Sequence, residues 1–370
     1  MKVLFIHNSL PEYRVAFWLR LGKLVDLDIC VTHPELQEKD YGFDFAIAGL
    51  NVIDDDGFGV CPNGYDVVVL PPADSIKDLR ISERMIRACR RFGVPTVFWT
   101  EAWMPREGSW SVKRSLKRVL KKVATWRIAH KASRCVVPGV LAYEFIESLG
   151  VRNVSVVGDS AEVGEPDAAK VLEIKGSLPR DKKMVLYFGR LKKFKGTNFL
   201  SQAFSYVCRE RDDVFLLICG DGECREELSS ALESDCPTGS WRMEGKVDPC
   251  WRASYYACAD AFVLPSCMDD GQIEVWGLSV NESLEAGVPV IATDCVGAAH
   301  DVLDDKVGAV IPQGDATALA EAINRVLDAN SNGGMRLACF DRAKKYSVEN
   351  MVQGFYDVFS NLSRAGEVNA

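Results

Sequence analysis

The alternation of short apolar strand patterns with amphipathic helical patterns constrains the fold of this chain more than any other feature. Lys2–His7 has the pattern of a buried strand, Pro11–Leu24 that of an amphipathic helix, and Asp28–Val31 that of a second strand. A strand, a crossover helix and a second strand in this order form a parallel pair within one sheet. The sequence therefore predicts an α/β fold built on parallel sheets.

The alternation runs in two successive series. Between Gly158 and Asp181 the strand pattern stops and prolines interrupt the segment, as is typical of a linker between domains. We therefore predict one domain over residues 1–160, a second over residues 161–346, and a closing amphipathic helix over residues 347–370. Further strand patterns occur at residues 66–70, 96–100, 135–138, 154–157, 184–188, 214–219, 261–264, 288–292 and 309–311.

Composition bounds the class of protein. The net charge of −8, from 44 basic and 52 acidic residues, argues against a general nucleic-acid-binding protein. Thirteen cysteines without a C-x-x-C spacing, together with four scattered histidines, fit free thiols in a reducing cytoplasm better than disulfides or zinc. The N-terminus lacks a signal-peptide pattern, and no apolar run approaches the roughly 18–20 residues that span a bilayer. We expect a cytoplasmic protein.

Two carboxylates stand eight residues apart beside a predicted helix. Glu274 precedes the helix, which begins near Leu278, and Glu282 lies within it. Gly277 carries no side chain at the helix N-terminus, whose N–H groups can bind a phosphate. The segment therefore fits a site for a phosphorylated, hydroxyl-rich ligand, although a solvated loop followed by a core helix would also explain it.

A basic loop follows the first strand of the second series. Gly189 allows the backbone to approach a ligand, and Arg190 and Lys195 could reach its phosphates. Ligands bind at the carboxyl ends of strands in doubly wound sheets, where this loop stands. Taken alone, the loop is better explained as an exposed basic turn.

Together these segments resemble a known family. The run E-x-W-G-L-x-V-N-E-S-L-E-A-G from Glu274, preceded by G-R-L-x-x-x-K-G from Gly189, resembles the signatures of family 4 retaining glycosyltransferases. The resemblance is close over residues 184–345 and loose over residues 1–157. It implies the GT-B fold, in which two doubly wound Rossmann-like domains face a central cleft and a C-terminal helix crosses back to the first domain.

The resemblance also implies roles for individual residues. Arg190 and Lys195 would bind the donor diphosphate, Glu274 would contact the transferred sugar, and Glu282 would hold the ribose hydroxyls. Gly220 belongs to a segment that resembles the family's G-x-G at a strand end near the nucleotide. Lys246 lies where family members have residues that flank the nucleotide base. The donor site expected from the sequence comprises Gly189, Arg190, Lys195, Gly220, Lys246, Glu274, Gly277, Leu278 and Glu282.

We expect neither a metal ion nor a cofactor. Fixed cations at the diphosphate would replace the metal that other glycosyltransferases use to stabilise the leaving group. The D-x-D at residues 54–56 stands in a polar, glycine-rich loop and not after a long apolar strand, so we interpret it as a solvated turn.

The first domain offers candidates for contact with the acceptor. Many family members carry a histidine after the strand that here reads Val97–Thr100, whereas this chain has Glu101, with Trp103 close by. Glu101 could accept a hydroxyl proton or hydrogen-bond an acceptor, and Trp103 could stack on a sugar; a carboxylate that caps the loop is the alternative. His7, at the end of the first strand, is either a further contact or a core histidine.

A basic segment favours contact with an anionic membrane surface. Residues 111–134 contain nine Lys and Arg and no acid. We expect its apolar helical face to pack in the first domain's core and its cations to adsorb electrostatically. The residues of that apolar face are Val112, Leu116, Val119, Leu120, Val123 and Trp126.

The sequence thus predicts a metal-independent, retaining hexosyltransferase of the GT-B type. It would move a sugar from a nucleotide sugar to a hydroxyl of a glycan or lipid-linked acceptor in cell-surface polysaccharide biosynthesis, in the cytoplasm or peripherally at the inner face of the plasma membrane. A GT-B nucleotide-sugar epimerase and a non-catalytic nucleotide-sugar-binding subunit remain as alternatives.

Overall fold

The computed structural model describes residues 1–35, 49–104, 112–179, 181–331 and 333–368. They form two separately packed units: unit 1 comprises Met1–Ala161 and Val348–Ala370, and unit 2 comprises Glu162–Ser347. The sequence places the corresponding boundaries after residues 160 and 346.

Unit 1 is built on a seven-stranded parallel sheet with strand order β3-β2-β1-β4-β5-β6-β7. Strands β4 and β5 are buried at every position because helices cover both faces of the sheet, and Thr96 is their one polar residue. The strands are β1 Lys2–His7, β2 Asp26–Val31, β3 Asn51–Ile53, β4 Val67–Leu70, β5 Thr96–Trp99, β6 Arg134–Val137 and β7 Val154–Val156. Among the described residues, the helices that precede unit 2 are α1 Glu12–Leu21, α2 Ile76–Phe92, α3 Val112–Ala129 and α4 Val140–Ser148.

Unit 2 contains a six-stranded parallel sheet with strand order β10-β9-β8-β11-β12-β13. Its strands are β8 Lys183–Phe188, β9 Val214–Cys219, β10 Trp241–Gly245, β11 Ala261–Leu264, β12 Val290–Thr293 and β13 Gly308–Ile311. Its helices are α5 Ala168–Ser177, α6 Thr197–Glu210, α7 Arg225–Asp235, α8 Arg252–Tyr256, α9 Leu278–Glu285, α10 Ala299–Val302, α11 Ala316–Ala329 and α12 Arg336–Lys345. The predicted α/β class with two doubly wound, Rossmann-like sheets is confirmed.

The last helix belongs to the core of unit 1. Helix α13, Val348–Val368, places Phe355 with its ring centroid 5.1 Å from that of Phe17 and 5.2 Å from that of Trp99. Phe5 of β1 joins the same group, 6.2 Å from Phe355. The amphipathic pattern of the closing helix thus reflects burial against the first sheet.

Each sheet has one place where the order of its strands reverses. In unit 1 it lies between β1 and β4, and in unit 2 between β8 and β11. Connections leave the two strands in opposite directions there, which opens a crevice at their carboxyl ends where doubly wound folds bind ligands. The loops after β8 and β11 are the ones that carry the basic and glutamate motifs.

Three elements differ from the sequence-based expectation. Helix α5 lies inside the segment assigned as a linker, with Asp167 capping it by accepting a hydrogen bond from the N–H of Lys170 at 2.7 Å. Its periodicity is weak because Ile174 is its one buried residue. Strands β3 and β10 were not expected because they lie at sheet edges and are half-exposed, and because β3 has only three residues while β10 contains Arg242 and Glu244.

The expectation for the apolar face of the basic helix is wrong. Val119, Leu120, Val123 and Trp126 of α3 are exposed. The helix packs on unit 1 through Thr125, Ile128 and Ala129 instead. Residue 111 and the side chains of residues 112–117, which include the predicted Val112 and Leu116, lie outside the described residues. Within the described parts of the chain, no helix is both long and apolar enough to cross a membrane.

Candidate functional site

The basic loop and the glutamate loop of unit 2 meet at the point where the strand order reverses. After β8 the chain forms one turn of 3-10 helix, Lys193–Lys195, and enters α6 through Gly196. The ammonium of Lys195 forms an ion pair with the carboxylate of Glu274, which follows β11. Two residues that separate motifs single out are thus neighbours at the carboxyl ends of adjacent strands.

Glu274 is held by its backbone as well as by Lys195. It forms a parallel bridge with Val296, and its carbonyl oxygen accepts a hydrogen bond from the N–H of Gly297 at 3.1 Å. The hydroxyl of Ser266 lies 3.4 Å from the same carboxylate oxygen that Lys195 contacts. These contacts fix the carboxylate before any ligand binds.

Helix α9 begins beside this pair. Gly277 is its N-cap in the left-handed conformation, with φ of 98°, and contributes no side-chain cap. A Cβ there would lie 2.9 Å from Val296 Cγ1 and 3.2 Å from Glu274 Cγ, so glycine is required by both conformation and space. Leu278 is the first helical residue. The N-terminus of α9 therefore stands within the glutamate loop, where its N–H groups favour an anion.

Glu282, on the first turns of α9, is buried and has two partners. One carboxylate oxygen accepts a hydrogen bond from Arg252 at 2.8 Å, and the other accepts one from the Tyr256 hydroxyl at 3.1 Å. Burial raises the pKa of Tyr256 well above its usual value, so the phenol remains a donor. A carboxylate oxygen accepts more than one hydrogen bond, and each oxygen therefore keeps capacity for a ligand hydroxyl.

The remaining predicted donor residues line the same edge of the sheet. Arg190 and Lys246 are exposed, immediately after β8 and β10. Gly220 follows β9, and a Cβ on it would stand 1.8 Å from the carbonyl oxygen of Gly189. This glycine is thus needed where two backbone loops touch, whatever it does for a ligand.

Unit 1 carries a buried ionic cluster at the carboxyl edge of its sheet. Arg14 of α1 is buried and contacts Asp159 with both terminal nitrogens, and one of them donates to Glu101 at 2.9 Å. Asp159 is buried, whereas the Glu101 side chain keeps 31% of its exposure. Glu101 is therefore the member of the cluster that a ligand can reach.

Burial shifts the pKa values of Glu101 and His7 at the carboxyl edge of the sheet in unit 1. It raises the pKa of Glu101 to about 8, with the nearby Asp159 carboxylate adding to the effect and Arg14 opposing it, which favours the protonated form of Glu101. It also lowers the pKa of His7 to about 4, so the imidazole is neutral. His7 Nδ1 lies 2.7 Å from the carbonyl oxygen of Ser9, and its ring packs on Trp18. Trp103, two residues after Glu101, is half-buried.

Sequence reasoning missed four residues of these sites. Arg14 has a visible signal: it shares one face of α1 with the buried Phe17, Trp18 and Leu21, and an arginine at a core position needs a carboxylate partner. Asp159, its partner, gives no local signal. Arg252 and Tyr256, the partners of Glu282, lie on a five-residue helix too short to show a periodicity.

The D-x-D segment is held within its own loop. Asp55 Oδ1 accepts hydrogen bonds from the N–H groups of Gly57 at 2.7 Å and Gly59 at 2.9 Å. Asp56 faces Lys77 at 3.4 Å. In the described portion of the chain, no group of three or more His, Cys, Asp or Glu side chains is arranged to hold a metal ion.

Comparison with known proteins identifies a family model that matches the second unit and relatives that match part of the chain. Residues 171–346 match the family model described as glycosyl transferases group 1. The chain is 34% identical over 150 residues to a phosphatidyl-myo-inositol mannosyltransferase of Mycobacterium leprae, covering 40% of this chain and 38% of that protein. It is 27% identical over 245 residues to a lipopolysaccharide 1,2-N-acetylglucosaminetransferase of Salmonella typhimurium, covering 62% of each. The match thus spans less than two thirds of either relative.

Solved structures share the fold over nearly the whole chain. Anabaena HepE, in complex with UDP, aligns with a TM-score of 0.74 at 16% identity, covering 98% of this chain and 100% of that one. A sucrose-phosphate synthase of Thermosynechococcus elongatus aligns with a TM-score of 0.76 at 17% identity, covering 99% and 100%. At these identities the likeness establishes the fold.

Proposed function

Since residues 171–346 form a domain of the glycosyl transferases group 1 family, we propose that this protein transfers a hexosyl group from a nucleotide sugar to an acceptor hydroxyl. The observation that carries the proposal is the Lys195–Glu274 ion pair at the reversal of strand order in unit 2. It combines a fixed cation for a phosphate with a fixed carboxylate for a sugar hydroxyl.

The chemistry explains why both groups are needed. Transfer breaks the bond between the anomeric carbon and the diphosphate oxygen, and negative charge grows on the departing diphosphate. Lys195, the exposed Arg190 and the N-terminus of α9 would stabilise that charge without reorganising. Glu274 would hold the sugar, and the Arg252 and Tyr256 contacts would orient Glu282 toward the ribose hydroxyls.

The acceptor side of the proposal rests on unit 1. Glu101, which is reachable and whose raised pKa favours the protonated form, can donate a hydrogen bond to an acceptor oxygen. His7 is neutral and Trp103 lies nearby, so this edge offers polar and aromatic contacts suited to a sugar. The names of the relatives refer to phosphatidyl-myo-inositol and lipopolysaccharide, which supports a glycan or lipid-linked acceptor in cell-surface polysaccharide biosynthesis.

Three finer points belong to the same proposal. We propose retention of the anomeric configuration, from the resemblance to family 4. We propose independence of metal, because fixed cations would take the place of a metal and Asp56 of the D-x-D segment faces Lys77. We propose a cytoplasmic location, because the thirteen cysteines stand outside disulfides, as in a reducing compartment.

The test begins with donor binding. UDP-glucose is the first donor to try, because it occupies a structure of HepE that shares this fold. Thermal unfolding in the presence of UDP, other nucleoside diphosphates and nucleotide sugars identifies the ligand. A ligand present at a hundred times its Kd raises the free energy of unfolding by about 2.7 kcal/mol. Release of nucleoside diphosphate in the presence of candidate acceptors then measures transfer, and NMR of the product gives its anomeric configuration.

Each alternative has its own outcome in this experiment. Conversion of the donor to an epimer without acceptor would identify an epimerase. Tight donor binding without release of nucleoside diphosphate across a broad acceptor panel would favour the binding subunit. No stabilisation by any nucleotide or nucleotide sugar would overturn the proposal.

A further inference from the structure

Helix α3 exposes a continuous row of large apolar side chains, which we call the apolar stripe: Val119, Leu120, Val123 and Trp126. Their exposed fractions are 56%, 60%, 47% and 47%, so each keeps about half of its contact with water in the folded unit. The spacing i, i+1, i+4, i+7 places them on one side of the helix. Elsewhere in the described residues, exposed apolar side chains such as Leu172 and Leu337 are isolated from one another in the sequence.

The opposite side of α3 packs against the rest of unit 1. Thr125, Ile128 and Ala129 are buried in unit 1. Two salt bridges hold the helix in place: Lys121 contacts Asp74 at 3.0 Å, and Arg127 contacts Glu83 at 2.5 Å. The apolar stripe is therefore not needed to anchor the helix, and a contiguous exposed apolar row of this kind marks an interaction surface.

The charge around the stripe restricts what can bind there. Residues 111–134 contain nine Lys and Arg and no acid, in a chain with a net charge of −8. Lys122 is exposed and precedes Val123 of the stripe. The partner must therefore be apolar where it meets the stripe and anionic at its margin, which describes the surface of a bilayer with anionic lipids.

We propose that α3 lies in the plane of an anionic membrane surface with its apolar stripe inserted into the boundary between headgroups and acyl chains. Trp126 suits that boundary because an indole is apolar in its body and polar at its N–H. Lys122 can extend its charged end to the lipid phosphates while its stem stays on the apolar side. A twofold contact between two copies of this helix would instead oppose two like-charged, strongly basic surfaces.

This inference goes beyond the proposed function and does not depend on it, since membrane binding can be measured without donor or acceptor. It also differs from the adsorption expected from sequence. Adsorption requires charge alone and disappears as salt is raised, whereas insertion requires the apolar side chains and leaves binding that salt does not remove.

The experiment compares matched variants on vesicles of phosphatidylcholine with and without phosphatidylglycerol. Leu120→Ser with Val123→Ser removes half of the stripe, and Leu172→Ser with Leu337→Ser removes two still more exposed apolar side chains elsewhere. Sedimentation with anionic vesicles should show binding weakened about tenfold or more by the first pair, because each large apolar side chain contributes about a tenfold factor when buried. The second pair should bind as the native protein does.

The depth to which the apolar stripe inserts is measured with lipids brominated on their acyl chains. These should quench tryptophan fluorescence of the native protein, and Trp126→Phe should remove the quenching although seven other tryptophans remain. Lys122→Glu should weaken binding at low salt but leave the quenching of the bound fraction. Since all of these side chains are exposed, the melting temperatures should match that of the native protein, which separates lost binding from lost folding.

Several results would overturn the proposal. Equal binding by the Leu120/Val123 variant and the native protein would reduce the contact to adsorption. Absence of quenching by brominated lipid, or absence of binding to anionic vesicles at low salt, would exclude insertion. Self-association that the same variant abolishes, without vesicle binding, would assign the stripe to a second copy of the chain.

Discussion

Lys195 and Glu274 form an ion pair across the two strands between which the order of the second sheet reverses, although 79 residues separate them in the sequence. Their side chains are 13% and 15% exposed, so water screens the pair only partly. A diphosphate entering this site would meet a cation already held in position, and the sugar beside it a carboxylate already oriented.

The first prediction concerns the cations of the basic loop. Lys195→Ala or Arg190→Ala should lower turnover by roughly 10²–10³-fold, because each removes a fixed charge that stabilises the departing diphosphate. Steady-state release of nucleoside diphosphate measures this. Lys193→Ala, at an exposed position of the same turn, is the matched control and should stay near native activity. Native turnover in both the Lys195 and the Arg190 variant would refute their role.

The second prediction concerns Glu282. Glu282→Gln keeps an acceptor for Tyr256 but leaves Arg252 facing a neutral partner, so the free energy of unfolding should fall by about 2 kcal/mol. This is less than for a fully buried pair because the Arg252 side chain is 28% exposed. Urea unfolding measures the loss, and a thermal-shift titration should show weakened nucleotide binding.

Tyr256→Phe is the control for that variant. It removes one hydrogen bond, at a cost of about 1 kcal/mol, and keeps the charged pair. Nucleotide affinity should therefore survive in it. Equal loss of nucleotide affinity in the two variants would mean that stability, and not the Glu282 charge, controls binding.

The third prediction concerns the pH dependence of stability through Glu101. Burial raises its pKa from 4.5 to about 8, so the folded state holds a proton that the unfolded state releases above pH 4.5. The resulting stabilisation is complete below about pH 4.5 and is lost as the pH rises through about 8. Glu101→Gln removes this dependence, so the variant should gain stability relative to the native protein between about pH 5 and pH 9.

Urea unfolding at several pH values measures that difference. Glu12→Gln, at an exposed position of α1, is the control, and its difference from the native protein should stay constant. A Glu101→Gln difference that is also constant with pH would show that Glu101 is already ionised in the folded state.

The fourth prediction concerns metal. Excess EDTA should leave the rate of transfer unchanged, because the proposed clamp consists of Arg190, Lys195 and the N-terminus of α9. Asp54→Asn with Asp56→Asn should also keep transfer near native. Loss of activity with EDTA that Mn²⁺ or Mg²⁺ restores would assign the diphosphate to a metal.

The sequence predicts the sheets and the Lys195–Glu274 site well for one physical reason. A fully buried parallel strand must be apolar throughout, so β4 and β9 are visible without knowledge of their neighbours. In the same way, the residues that follow the strands of the second sheet fall at its carboxyl edge, which brings the two motifs together once the strands are known.

What the sequence does not predict depends on contacts between distant residues. The Arg14–Asp159 pair joins positions 145 residues apart, and no sequence pattern near Asp159 indicates this contact. In α3 the periodicity correctly groups Val119, Leu120 and Val123 on one face, but it does not tell which face packs inward. The small residues Thr125 and Ala129 are buried on the other face, which is the face that packs inward.

Because helix α13 belongs to unit 1, it affects the order in which the two units can finish folding. Unit 1 draws its core from both ends of the chain, because Phe355 and Phe359 pack with residues of β1 and α1. A nascent chain of 161 residues therefore leaves the ribosome with that part of its apolar surface uncovered. Unit 2, encoded by one continuous segment, can finish folding first, and the unfinished first half must wait for the last helix to be synthesised.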